Sequence, residues 1–184
     1  MKSIYRFIFL LLFAFNLNAQ HTESTIKDSL KNKSIELFRE VFWKNIPKPV
    51  SWTNDYEDLF TDTEQSKLDS IISTFEKQKR IEIAIVTIDT IKTSKDNFDD
   101  LSLHIAQTWG IGKKDQENGI LIAISKGHRR IRIENSTGVE TILSDAVTAE
   151  IIENYFIPAF KKGEYYNGTL NGLKQIIKFL NSKL

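Results

Sequence analysis

Apolar side chains along this chain recur at two spacings, and the alternation between them lays out the elements. Leu68, Ile71, Ile72 and Phe75 fall three and four residues apart, the period of a helix with one buried face. Thr61 with Glu64 three residues on forms a capping box, which starts that helix near Asp62. Ile81 to Ile88 then reads IEIAIVTI, nearly all apolar and β-branched, the pattern of a central strand covered on both faces. Helical spacing returns with Phe98, Leu101, Ile105 and Trp109. Gly119 to Ser125 (GILIAIS) is a second buried strand. Arg129 to Glu134 (RRIRIE) alternates charged and apolar residues, as a strand with one wet face does, and pairs with its predecessor as a hairpin across Lys126-Gly127-His128. Ser144 caps a third helix with Val147, Ile151, Ile152 and Tyr155 inside, which Pro158 ends or kinks. A last helix, from about Tyr165 to Leu180, carries Leu170, Leu173, Ile176, Ile177 and Leu180. Gly168 and Gly172 lie four apart on it, a spacing expected to let the helix approach the sheet closely.

Strands interleaved with helices predict an α/β fold, a three-layer α/β/α sandwich around a small mixed sheet of about four strands. The first two long strands, joined by a helix, are expected to be parallel through a right-handed crossover. A further short strand is expected near residues 50–53 or 139–143. Ahead of this domain, Ile26, Leu30, Ile35, Leu37, Phe38, Val41 and Phe42 mark an amphipathic helix between Ser24 and Trp43. Such a helix packs on its own domain or docks a partner. Pro47 and Pro49 end it in an extended linker.

The first nineteen residues predict no part of the fold. Lys2 and Arg6 precede a solid apolar run from Phe7 to Phe15, and Asn16-Leu17-Asn18-Ala19 ends on a small residue. That is the build of a signal peptide cut near Ala19, too short for a spanning helix. The expected organisation is therefore 1–19 signal peptide, 20–49 helix and proline linker, and 50–184 a single domain. Export would leave the protein periplasmic or secreted, with no membrane span in the mature chain. Removing Lys2 and Arg6 leaves 23 basic against 24 acidic residues, a net charge of −1, so no basic face for nucleic acid is expected. The absence of cysteine excludes disulfides, thiolate chemistry and a cysteine-linked lipid anchor.

Several familiar chemistries find no support. Asp115-Gln-Glu-Asn-Gly119 opens like a helix–loop–helix calcium loop, but Lys126 stands where that loop needs its twelfth-position glutamate. Asp89 with Thr93 after an apolar strand resembles a haloacid-dehalogenase nucleophile motif, but Ile91 replaces its second aspartate, so Asp89 reads as a turn former. His21, His104 and His128 lack metal-ligand spacing, and no G-x-S-x-G, P-loop or dinucleotide fingerprint is present. What remains is oxygen-bearing side chains in loops: Asp55, then Asp115, Glu117 and Asn118 before the second long strand, and Glu140 and Asp145 around the third helix. In open α/β sheets the crevice lies beyond the carboxyl ends of the strands. Hard oxygen donors without nitrogen or sulfur select calcium or magnesium if a metal binds, and solvated loop carboxylates are the plainer alternative.

The ordered set NDYEDLFT, IAIVTI, TWGIGKKDQENGILIAI, RRIRIE, GVETILSD and IPAFKKGEYYNGTLNGL resembles the TPM domain, over about Val50 to Leu180. That resemblance implies an α/β/α sandwich exported across a membrane, with calcium at the loop end of the sheet, in a family whose plant and cyanobacterial members are linked to photosystem II repair and described as acid phosphatases. Asp55, Glu117 (where aspartate is usual), Asn118 and Asp145 match its polar motif positions; Asp115 and Glu140 are neighbours added on chemical grounds. Many bacterial members continue into a transmembrane helix and a glycine-rich tail, so the stop at Leu184 suggests a stand-alone domain. The turn Asn135-Ser136-Thr137-Gly138 keeps one glycine of a richer family turn, which weakens any anion cradle there. Three functions are therefore expected in turn. The first is a divalent-cation-binding module (Ca2+ or Mg2+) with a regulatory or partner-binding role. The second is a metal-assisted acid phosphatase, with Lys113, Lys114 or Arg129 neutralising phosphate and no identifiable catalytic residue. The third is a metal-independent interaction module whose helix meets a protein partner.

Overall fold

The computed structural model describes residues 25–112 and 117–184. The expected signal peptide, Lys113, Lys114 and Asp115 lie outside the described residues. The chain divides into two compact units, Met1–Phe42 and Trp43–Leu184. The first carries most of helix α1 (25–44), along which Ile26, Leu30, Leu37 and Val41 are exposed.

The second unit runs β1 (Thr53–Asp55), α2 (Asp62–Lys79), β2 (Glu82–Thr87), α3 (Phe98–Trp109), β3 (Gly119–Ser125) and β4 (Arg130–Asn135). There follow α4 (Thr137–Glu140), α5 (Asp145–Ile151), a π-helical turn (Ile152–Phe156), α6 (Ile157–Phe160) and α7 (Tyr165–Lys183). The strands lie in the order β1-β2-β3-β4. β1, β2 and β3 are parallel, and β4 is antiparallel to β3. The further strand expected from sequence is β1, at residues 53–55; the stretch around 139–143 is instead the end of α4 and a turn.

Register decides which side chains face which layer. Ile83 and Ile85 of β2 stand beside Ile120 and Ile122 of β3, which stand beside Asn135 and Ile133 of β4. That face meets Leu68, Ile72 and Phe75 of α2, Ile151 of α5, and Leu173, Ile176 and Leu180 of α7 in one core. The opposite face carries Ala84, Val86, Leu121 and Ala123, all buried. α3 packs on β3 and β4 there, with Phe98, Leu101 and Ile105 buried. Two alanines on this face leave room for the larger helix side chains.

The cap of α2 follows the sequence, whereas Ser144 stands at the N-cap of α5 without a side-chain capping hydrogen bond. Glu64 N–H donates to Thr61 Oγ1 at 3.3 Å while Thr61 N–H donates to Glu64 Oε2 at 2.9 Å, completing the capping box. α3 stops where Gly110 turns left-handed at φ 70°. Pro47 and Pro49 do not leave a free linker: the Trp109 indole donates to Pro47 O at 2.7 Å, and Trp43 stacks on His104 at 4.2 Å between ring centroids. His104 is thus a packing residue that also bonds Trp43 O.

Pro158 neither ends nor sharply breaks its helix. It has no amide to donate, and the turn before it widens so that Ile157 N–H reaches back to Ile152 O. This wide turn pushes Phe156 and Phe160 onto α7, and there the two glycines receive them. The close approach they permit is therefore to another helix and not, as expected from sequence, to the sheet. A Cβ on Gly168 would come within 2.6 Å of the Phe160 ring, and one on Gly172 would overlap the fully buried Phe156 ring.

Gly172→Ala sets a helix-propensity gain of about 1 kcal/mol against overpacking of about 1–3 kcal/mol or more. The variant should lose stability in urea unfolding. Combined with Phe156→Leu, it should cost less than the two single changes added, by about 1 kcal/mol.

Candidate functional site

Parallel strands give the sheet two unlike ends, and the predicted oxygen ligands divide between them. Asp55 closes β1 at the carboxyl end, whereas Glu117 and Asn118 enter β3 at the amino end. β3 alone separates these ends by about 20 Å at the usual rise per residue. The described members of the set therefore do not form one crevice beyond the carboxyl ends, because Glu117 precedes its strand.

At the carboxyl end, Asp55 organises a turn. Its Oδ1 accepts from Thr87 Oγ1 at 2.5 Å and its Oδ2 from Phe60 N–H at 2.7 Å. Neighbouring Glu57, which the sequence reading passed over, accepts from the backbone N–H groups of Lys126 at 2.7 Å and Gly127 at 3.0 Å. It thereby pins the β3–β4 hairpin to the β1–α2 loop. Asp89 accepts from Ile91 N–H and pairs with Lys92, the turn role expected of it.

The amino end is built on a crossing of two glycines. A Cβ on Gly119 would lie 2.6 Å from Gly112 N, and one on Gly112 would lie 2.6 Å from Gly119 Cα. Gly112 also needs the left-handed backbone, at φ 77°. Four hydrogen bonds tie the crossing down: Gly112 N–H to Glu82 Oε2 at 2.8 Å, Glu82 N–H to Asn118 O at 2.9 Å, Gly119 N–H to Ser136 Oγ at 2.7 Å and Gly138 N–H to Glu117 O at 3.1 Å. The Ser136 hydroxyl also contacts Glu117 O. Glu117, itself at φ 54°, is left facing solvent.

Beside this crossing lies a depression of about 270 Å³. Its rim carries Glu117, Glu134 and Glu140, and among the described residues no Lys or Arg lines it. Glu134 is held by Arg132 at 3.0 Å and by the Ser102 hydroxyl at 2.8 Å, and that carboxylate pushes the Arg132 guanidinium above its ordinary pKa. Asn135 donates its amide to Leu143 O and Thr148 Oγ1, both at 3.0 Å, while its Oδ1 is buried and accepts no hydrogen bond. Asp145 sits exposed in the first turn of α5 and does not line the depression. Among the described residues no three of Asp, Glu and His stand close enough together to hold a metal ion. Glu134 and Asn135 are the site residues that sequence reasoning missed; both sit on the strand that alternates, and only its pairing with β3 brings them to Glu117.

The TPM domain profile matches residues 53–179. No curated protein matches the chain at a significant level. Among solved structures, the N-terminal domain of a protein from P. gingivalis is similar at 26% identity, covering 72% of this chain and 83% of its own, with a TM-score of 0.66. The BA42 protein of the psychrophilic bacterium Bizionia argentinensis is similar at 21% identity, over 69% and 85% respectively, with a TM-score of 0.59. The N-terminal domain of the cg2496 protein of Corynebacterium glutamicum shares the fold at 15% identity, over 72% and 82%, with a TM-score of 0.53.

Asp55→Asn would turn an acceptor into a donor facing either Thr87 or Phe60. It should lower stability by about 1–3 kcal/mol in chemical denaturation, with the fold otherwise retained by circular dichroism.

Proposed function

The chain belongs to the TPM domain family, and from that premise we propose that it is an exported module that binds calcium or magnesium at the amino end of β3. The observation that carries this reading is the acidic rim of Glu117, Glu134 and Glu140 beside the Gly112–Gly119 crossing, which no Lys or Arg among the described residues lines. The carboxylates of Glu117 and Glu140 are the hard oxygen donors that either ion prefers. Asp115, two positions before Glu117, belongs to the same loop. An ion there would relieve the mutual repulsion of these groups and order the 112–119 loop, so that occupancy could regulate what the loop meets. Asp55 and Asp145 stand apart from this set and are given no share in it. Export rests on the signal-like first nineteen residues.

The phosphatase alternative needs a cation and a phosphate-neutralising base in one centre. Arg129 lies at the carboxyl end of β3, about 20 Å from Glu117 by strand length, so a shared centre would have to draw on Lys113 or Lys114, outside the described residues. The exposed Ile26, Leu30, Leu37 and Val41 of α1 favour a docking helix as a second reading. On that reading a complex formed by the mature protein is lost when residues 20–46 are deleted.

Calorimetric titration of the chelator-treated mature protein with calcium, then magnesium, tests the cation site. Binding should raise the unfolding midpoint, by about 2.7 kcal/mol of stability at one hundred times Kd. Glu117→Gln and Glu140→Gln should each weaken it about tenfold or more, while Asp145→Asn leaves it unchanged. A titration that gives no binding heat and no shift of the midpoint would end this reading.

A further inference from the structure

A second cleft opens at the other end of β3, between the β3–β4 hairpin and the turn that joins α6 to α7. Its volume is about 750 Å³. Lys126, Arg129, Arg130 and Lys161 contribute to its lining, and among the described residues no Asp or Glu does. Arg130 is already held by both carboxylate oxygens of Asp99, at 2.6 and 2.7 Å. No ion pair among the described residues engages Lys126, Arg129 or Lys161. Glu57, beside the cleft, has its oxygens turned onto the Lys126 and Gly127 amides.

The rest of the lining is apolar and aromatic. Phe160 and Tyr165 stand with ring centroids 4.8 Å apart, and Ile131 and Ile157 complete the wall. Lys126 Nζ lies 5.9 Å from the Tyr165 ring centre, so cation and aromatic face share one surface. Burial, then the charge of Glu57, raises the Tyr165 phenol above its ordinary pKa, against a lowering by Arg129. At neutral pH the phenol is therefore a protonated donor. Three free cations beside a flat apolar wall, in a cavity of small-molecule size, define the complement of the ligand.

We propose that this cleft binds a small organic oxyanion, a carboxylate or phosphate group carried on an aromatic or aliphatic body. The anionic end meets Arg129, Lys126 and Lys161, and the body lies on Tyr165 and Phe160. The site is independent of the cation site at the opposite end of the sheet.

The test is a titration of the mature protein with benzoate and with phenyl phosphate, followed by amide chemical shifts. Inorganic phosphate and benzyl alcohol serve as the charge-only and body-only probes. At least one aromatic oxyanion should shift the amides of residues 125–131 and 157–165 saturably, and the tighter of the two identifies the anionic group. Arg129→Gln and Lys161→Gln should each weaken that binding about three- to tenfold without moving the thermal midpoint, since both side chains are exposed. Binding should persist in chelator and in Glu117→Gln, which separates it from the cation reading. Three results would overturn the proposal: no shifts with either oxyanion, shifts that neither substitution weakens, or inorganic phosphate binding as tightly as the aromatic probes.

Discussion

Everything in this domain hangs from one pair of parallel strands buried on both faces. Parallel neighbours cannot be joined by a tight turn, so β2 and β3 require the crossover that places α3 over one face. The other face is left to α2, α5 and α7, and the isoleucines in register across β2, β3 and β4 fix which side chains they meet. A one-residue slip would exchange the small Ala84 and Ala123 for isoleucine beneath α3 and present alanine to the larger core. The register is thus held by volume on two sides at once.

The same parallel arrangement gives the domain two poles of opposite character. Among the described residues, Glu117, Glu134 and Glu140 line the depression at the amino end of β3, with Arg132 paired to Glu134, and Lys126, Arg129, Arg130 and Lys161 line the cleft at its carboxyl end, with Asp99 paired to Arg130. Asp55, Glu57 and Asp89, at the carboxyl end, are consumed in holding turns. Such separation favours ligands of opposite sign at opposite ends, each site shielded from the other by the length of a strand.

Periodicity made most of the architecture legible. The helical stripes of α2, α3 and α7 and the apolar runs of β2 and β3 match their elements because burial imposes those periods directly. The three-residue β1 was visible only as an ambiguity, since so short an edge strand leaves no alternation to read. The π-turn before Pro158 left no mark either, because the sequence gives the missing amide but not how the backbone absorbs it. For the candidate site, individual residues were legible and their grouping was not. Asp55 and Glu117 share a charge type and a loop setting, yet strand direction sends them to opposite ends. Glu134 and Asn135 join Glu117 only through pairing across β3, which no local pattern reports.

The crossing of Gly112 and Gly119 has a consequence for how this loop can diversify. Each glycine occupies the space a side chain at the other would need, so the two positions are locked jointly rather than separately. No single replacement at either is a passable step, and relieving one would still leave the other facing backbone. Whatever path the chain takes between them, it must return to the same crossing. A loop of that kind can acquire new binding preferences without putting the sheet beneath it at risk.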